Sequence, residues 1–119
     1  MTLDEIEQLT LTQFAEFEVP TSTSSGLVGV PWSADRYAAA ILEMRTFLIK
    51  PSWQLVGVYD YPLRKTLLGT RDFAVVARDG DYTLLFDPQQ SAFVLGFDFD
   101  GHITTDAYPS DAVSTFASR

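Results

Sequence analysis

An α+β domain built on a mostly antiparallel sheet is what this sequence predicts, and three observations predict it. Between residues 73 and 105, four β-rich runs (FAVVAR, DYTLLFD, AFVLGFDF and HITT) alternate with turn residues. Two of the turns are Asp-Gly pairs, Asp79-Gly80 and Asp100-Gly101, a dipeptide suited to a type I′ hairpin because both central residues need φ > 0. Helical periodicity precedes the sheet and returns briefly after it, and helices, then strands, then a helix is an α+β order. The expected architecture is a four-stranded meander over 73–105 plus a strand near 53–59, with one or two helices on one face. A length of 119 residues suits one domain over 1–119.

The elements follow in order. Thr2-Leu3-Asp4-Glu5 is a capping-box pattern, with Leu3, Ile6 and Leu9 at helical spacing behind it. Thr10 and Thr12 lower helix propensity, so a second short helical stretch is expected through Phe14 and Phe17. Val19-Pro20 closes this segment, TSTSSG over 21–26 reads as a loop, and 27–30 as a short strand. Ser33 caps a helix over 34–49 whose apolar stripe is Tyr37, Ala40, Ile41, Met44, Phe47 and Leu48, and Pro51 stops it. WQLVGVY over 53–59 alternates as a strand, and DYPLRK over 60–65 breaks it with a basic pair. After Thr105, Tyr108-Pro109 is a break, and Ser110 caps a short helix through Val113 and Phe116.

The turns set a register. A two-residue loop at Asp79-Gly80 puts Arg78 opposite Asp81, Ala77 opposite Tyr82, Val75 opposite Leu84 and Phe73 opposite Phe86. A four-residue loop over 88–91 puts Phe86 opposite Phe93, Leu84 opposite Leu95 and Tyr82 opposite Phe97. One face then carries three apolar rows, the cover for which is the stripe of helix 34–49. The other face carries Ala74, Val76, Leu85, Val94 and Ile103, too apolar for open solvent, so either the N-terminal segment or a partner covers it.

Composition narrows function. Cysteine is absent, which excludes disulfides, zinc–thiolate sites and thiol catalysis. No secretory signal or run of about 20 apolar residues is visible, so a cytoplasmic protein without membrane association is expected. Sixteen acids against eight bases give a net charge of −8, a field that repels nucleic acid and attracts basic proteins. The single histidine, His102, falls just after a turn and opposite Phe99, and no G-x-S-x-G elbow is present. Asp98-Phe99-Asp100-Gly101 resembles a fragment of an EF-hand loop but lacks the other ligands. No catalytic residue, metal or cofactor is therefore expected.

What remains is charge placed by the turns. Asp79, Asp81, Asp98 and Asp100 crowd one end of the sheet, and Asp81 faces Asp98. Like charges opposite each other on neighbouring strands destabilise, which suggests a use for them. The expectation is a small, non-catalytic protein that binds a basic protein partner there, with Trp32 and Tyr61 as aromatic anchors. Immunity proteins of bacterial toxin systems have this make-up, the partner then being a toxin domain. The alternatives are a small-molecule-binding or enzymatic domain with a pocket between helix and sheet, and a secretion chaperone or oligomeric scaffold.

Overall fold

Five strands close into a barrel. The computed structural model describes residues 1–18, 33–59, 66–105 and 109–119. The chain runs α1 (Leu3–Glu16), α2 (Ala34–Arg45), β1 (Leu48–Tyr59), β2 (Leu67–Asp79), β3 (Tyr82–Asp87), β4 (Ala92–Phe99), β5 (His102–Thr105) and α3 (Ala112–Ala117). Sequential strands pair antiparallel, and β1 closes the barrel onto β5 in parallel, Val56 beside Ile103 and Gly57 beside Thr104. The α+β class is as expected. The sheet is mostly antiparallel as expected, but the parallel β1–β5 pairing makes it mixed and closes it into a barrel, and the strand expected over 27–30 lies outside the described residues.

The second apolar face explains the closure. Leu85, Val94 and Ile103, expected on an outer face in need of cover, meet Val56, Phe73 and Val75 in one buried cluster inside the barrel. A sheet apolar on both faces can hide one of them by closing on itself. Neither the N-terminal segment nor a partner is required there.

Register decides which residues enter. Between β3 and β4 the pairing is the expected one, Phe86 with Phe93, Leu84 with Leu95 and Tyr82 with Phe97. The turn at Asp100-Gly101 joins Phe99 to His102 with both φ positive, 55° and 80°. The first hairpin differs, because Asp79 pairs with Tyr82 and the loop is Gly80-Asp81, with positive φ at Gly80 alone (59°). That is the type II′ pattern, which needs glycine only at the first central position. Ala77 consequently pairs with Leu84, and after an irregularity at Val76 the partner of Val75 is Leu85. Relative to the expected register this last shift is one residue, which turns side chains over. Phe73 and Val75 therefore point into the barrel, while Ala74 and Val76 join the helix-covered core.

That core packs Leu84, Phe86, Phe93 and Leu95 under the helices. Ile6 and Phe14 of α1, with Val113 and Phe116 of α3, are its main cover, and Met44 is the one fully buried side chain of α2. Ile41 is partly buried against it and Tyr37 is half-buried, so the expected stripe is a lesser contributor. Helix α2 also ends early. The Thr46 hydroxyl donates to the Glu43 carbonyl at 2.6 Å, and the chain enters β1 at Leu48. Pro51 sits within β1 where the ladder to β2 is interrupted, between Leu48 paired with Ala77 and Ser52 paired with Val75. A proline in a sheet needs such a gap, having no N–H to donate.

Helix α1 is continuous, since the Thr10 hydroxyl donates to the Ile6 carbonyl (2.8 Å) and is buried without loss. Its capping box forms as expected, the Glu5 amide donating to the Thr2 hydroxyl (3.2 Å) and the Thr2 amide to the Glu5 carboxylate (2.8 Å). In α3 the cap is Asp111 rather than Ser110, accepting from the Ser114 amide at 2.9 Å. Ser110 instead bridges Phe93 through two backbone bonds of 2.9 and 2.7 Å. Partial burial pushes the Asp111 pKa up, but hydrogen bonds from the Ser114 amide and hydroxyl and from Ser110 together hold it below the ordinary value. A lowered folded-state pKa contributes stability above the unfolded value of about 3.9, lost as pH falls through the folded one. Asp111→Ala should cost about 1 kcal/mol at pH 7. Urea unfolding repeated at pH 3 should show a smaller difference from wild type.

Candidate functional site: the acidic end of the barrel

Inward-facing positions place an Arg–Asp pair at each end of the barrel, and the two pairs differ. At one end Arg71 holds Asp87 with two nitrogens on two oxygens, the second at 2.7 Å. The Gln89 amide donates to the same carboxylate at 3.0 Å, and the guanidinium lies 4.6 Å from the Phe73 ring centroid. The Asp87 side chain is only 2% exposed. This pair is saturated and structural. At the other end Arg78 meets Asp98 through one contact of 3.3 Å, with side chains 40% and 27% exposed.

Both tight turns arrive at that second end. The Asp98 amide donates to the Asp81 carbonyl at 2.7 Å, so Asp81 and Asp98 are neighbours as the sequence implies. Arg78, expected opposite Asp81, stands opposite Thr83 and reaches to Asp98 instead. Asp100 follows in the β4–β5 turn. Asp81 and Asp100 are exposed and have no ion pair among the described residues. Asp79 departs from the group, because its carboxylate accepts from Arg119 Nε at 2.7 Å on the helix side. Arg119 also lies 4.2 Å from the Phe116 ring centroid and reaches Glu43 at 3.4 Å. Three of the four acids therefore share one surface. Trp32 and Tyr61 lie outside the described residues, and Trp53 of β1 is exposed.

The residue that sequence reasoning missed is Phe99. It is 72% exposed, sits between Asp98 and Asp100, and is held by the paired strands of a tight hairpin. Alternation puts it in the row of Phe93, Leu95 and Phe97, which reads as core. The cover ends at Phe97, whose ring packs edge-on against Tyr82 at 5.3 Å, and Phe99 lies beyond it.

Beside this hairpin runs a groove of about 480 Å³, between the outer half of the β1–β2 hairpin and the β4–β5 turn. Leu55, Tyr59, Leu67 and His102 line it, and Arg78 and Asp98 stand at its edge. At Gly57, also in the lining, a Cβ would meet Leu67, Thr104 and Tyr59 at ordinary contact distances of 3.4–3.6 Å, so there is room for a methyl group there and these three side chains stand around it. A second hollow of about 610 Å³ lies between α2, α3 and the β2–β3 end, but its Arg119, Asp79 and Glu43 are engaged with one another. No group of three or more potential metal ligands occurs among the described residues. No helix is long and apolar enough to cross a membrane among them. Compared with protein-family models, curated proteins and solved structures, the chain matches none.

Proposed function

We propose that this protein is a binding module for a basic protein, which it meets with Asp81, Asp98, Asp100 and Phe99 at the acidic end of the barrel. Phe99 carries the reading. A phenylalanine exposed to 72% beside a tight hairpin turn is an aromatic anchor awaiting a pocket, and acids on either side select a cationic rim around it. The net charge of −8 steers such a partner from a distance. Among basic proteins, a toxin domain that acts on nucleic acid is the class that fits, with this chain as its immunity protein. The hollow between α2 and the sheet is where a small-molecule reading would sit, but its Arg119, Asp79 and Glu43 are engaged with one another. Closure into a barrel disfavours a scaffold that pairs through an open sheet edge.

The test is affinity capture from the native host with wild type and with a Phe99→Ser/Asp81→Asn/Asp100→Asn variant of matched melting temperature. A strongly basic protein retained by wild type alone and released by salt is the expected result. Equal retention by both proteins would remove this end of the barrel from the interface.

A further inference from the structure

Resting on that reading, we infer that the groove beside the hairpin receives one arginine side chain of the partner, whose guanidinium takes the place of Arg78 on Asp98. The contrast between the two barrel ends leads here. Asp87 is bonded at both oxygens and shut away from water, whereas Asp98 holds its arginine by one long contact at a groove edge. A bidentate guanidinium–carboxylate pair is the stronger arrangement, and Asp98 does not have it. Arg78 shows that a guanidinium reaches this carboxylate, and its own exposed side chain loses little by release into water.

The groove has the form such a side chain needs. An arginine carries an apolar stem and a planar charged head. Leu55 and Leu67 offer the stem apolar contacts, and Tyr59 places an aromatic ring in the same lining. Gly57 lies in the lining with Leu67, Thr104 and Tyr59 around it, so a side chain longer than a methyl group at this position would compete with them and with an incoming stem for the same space. Asp100, next to Gly101 of the lining, and Asp81, whose carbonyl accepts from the Asp98 amide, add negative charge nearby. The site is thus complementary in charge and shape to one class of occupant, and Arg78 is its internal competitor.

The probes are an octa-arginine peptide and Nα-acetyl-arginine methylamide, titrated calorimetrically at low salt against the full chain, with a melting curve for each variant. Arg78→Ala should tighten binding of both probes several-fold by removing the competitor. Asp98→Asn, which preserves shape, should weaken both about tenfold, the scale of one lost charge-assisted bond. Gly57→Leu should do the same by filling the groove. Unchanged or weaker binding by Arg78→Ala, or wild-type binding by Asp98→Asn, would overturn the inference even if Gly57→Leu does not fold. If the peptide binds wild type and weakens only in Asp81→Asn/Asp100→Asn, the acidic end remains a docking surface and the insertion is refuted. If wild type binds neither probe, the docking surface falls with it.

Discussion

Leu85→Ala should destabilise the protein by about 2–5 kcal/mol, the cost of truncating a leucine that the surroundings cannot follow inward. Leu85 is fully buried inside the barrel with Val56, Phe73, Val94 and Ile103. Its neighbourhood is already tight, since a Cβ on Gly96 would stand 2.6 Å from the Leu85 side chain and 2.5 Å from the Thr83 hydroxyl. Walls made of paired strands resist collapse into the cavity. On an open sheet Leu85 would project from the uncovered face, and the loss would be about 0.5 kcal/mol or less. Leu84→Ala, on the helix-covered side, should cost a similar 2–5 kcal/mol. Two large losses at adjacent positions on opposite faces are the signature of closure, and urea midpoints of the two variants measure it. A small loss at Leu85 alone would mean that the barrel is not closed.

Arg71→Met should cost about 3 kcal/mol, the lower part of the range for breaking a buried pair, because Arg71 keeps some contact with water. The expense comes from Asp87, left nearly buried with a charge and only the Gln89 amide to hold it. Arg71→Met/Asp87→Leu should recover much of the loss, since replacing both charges by apolar groups removes the stranded carboxylate. Arg78→Met, at the exposed pair, should cost less than about 1 kcal/mol. Thermal or urea unfolding of these variants separates a structural ion pair from an exchangeable one. Equal losses for Arg71→Met and Arg78→Met would contradict that distinction.

How far the fold could be read from the sequence is clearest in the hairpins. The β3–β4 and β4–β5 registers follow from loop length and turn type, because local chemistry alone determines them. The β2–β3 register does not, since Asp-Gly can supply both central residues, or its glycine alone can supply the first of them. Here glycine takes the first central place, and the bulge at Val76 then turns Phe73 and Val75 into the barrel. Barrel closure was signalled without being identified: apolar residues on both sheet faces demanded a second cover, and closure supplies it. Pro51 misled the end of α2, because a proline that stops a helix also fits a gap in a strand ladder. At the candidate site, the adjacency of Asp81 and Asp98 was legible from register. The capture of Asp79 by Arg119 was not, for it joins residues 40 apart in sequence. Nor was the exposure of Phe99, which depends on where the helical cover ends.

The central claim is that charge at this end of the barrel is used for binding. The measurement that tests it most directly is the association rate with the captured basic partner, at low and at high salt, for wild type and for Asp81→Asn/Asp100→Asn. Exposed rim charges act mainly on the rate of encounter, and a Debye length of about 8 Å at physiological salt screens them. Wild type should therefore associate faster at low salt, the variant should be slower with a flatter salt dependence, and its melting temperature should stay equal or rise as repulsion is relieved. The same rate and the same salt dependence in both proteins would contradict the account and leave these aspartates as solubilising charge.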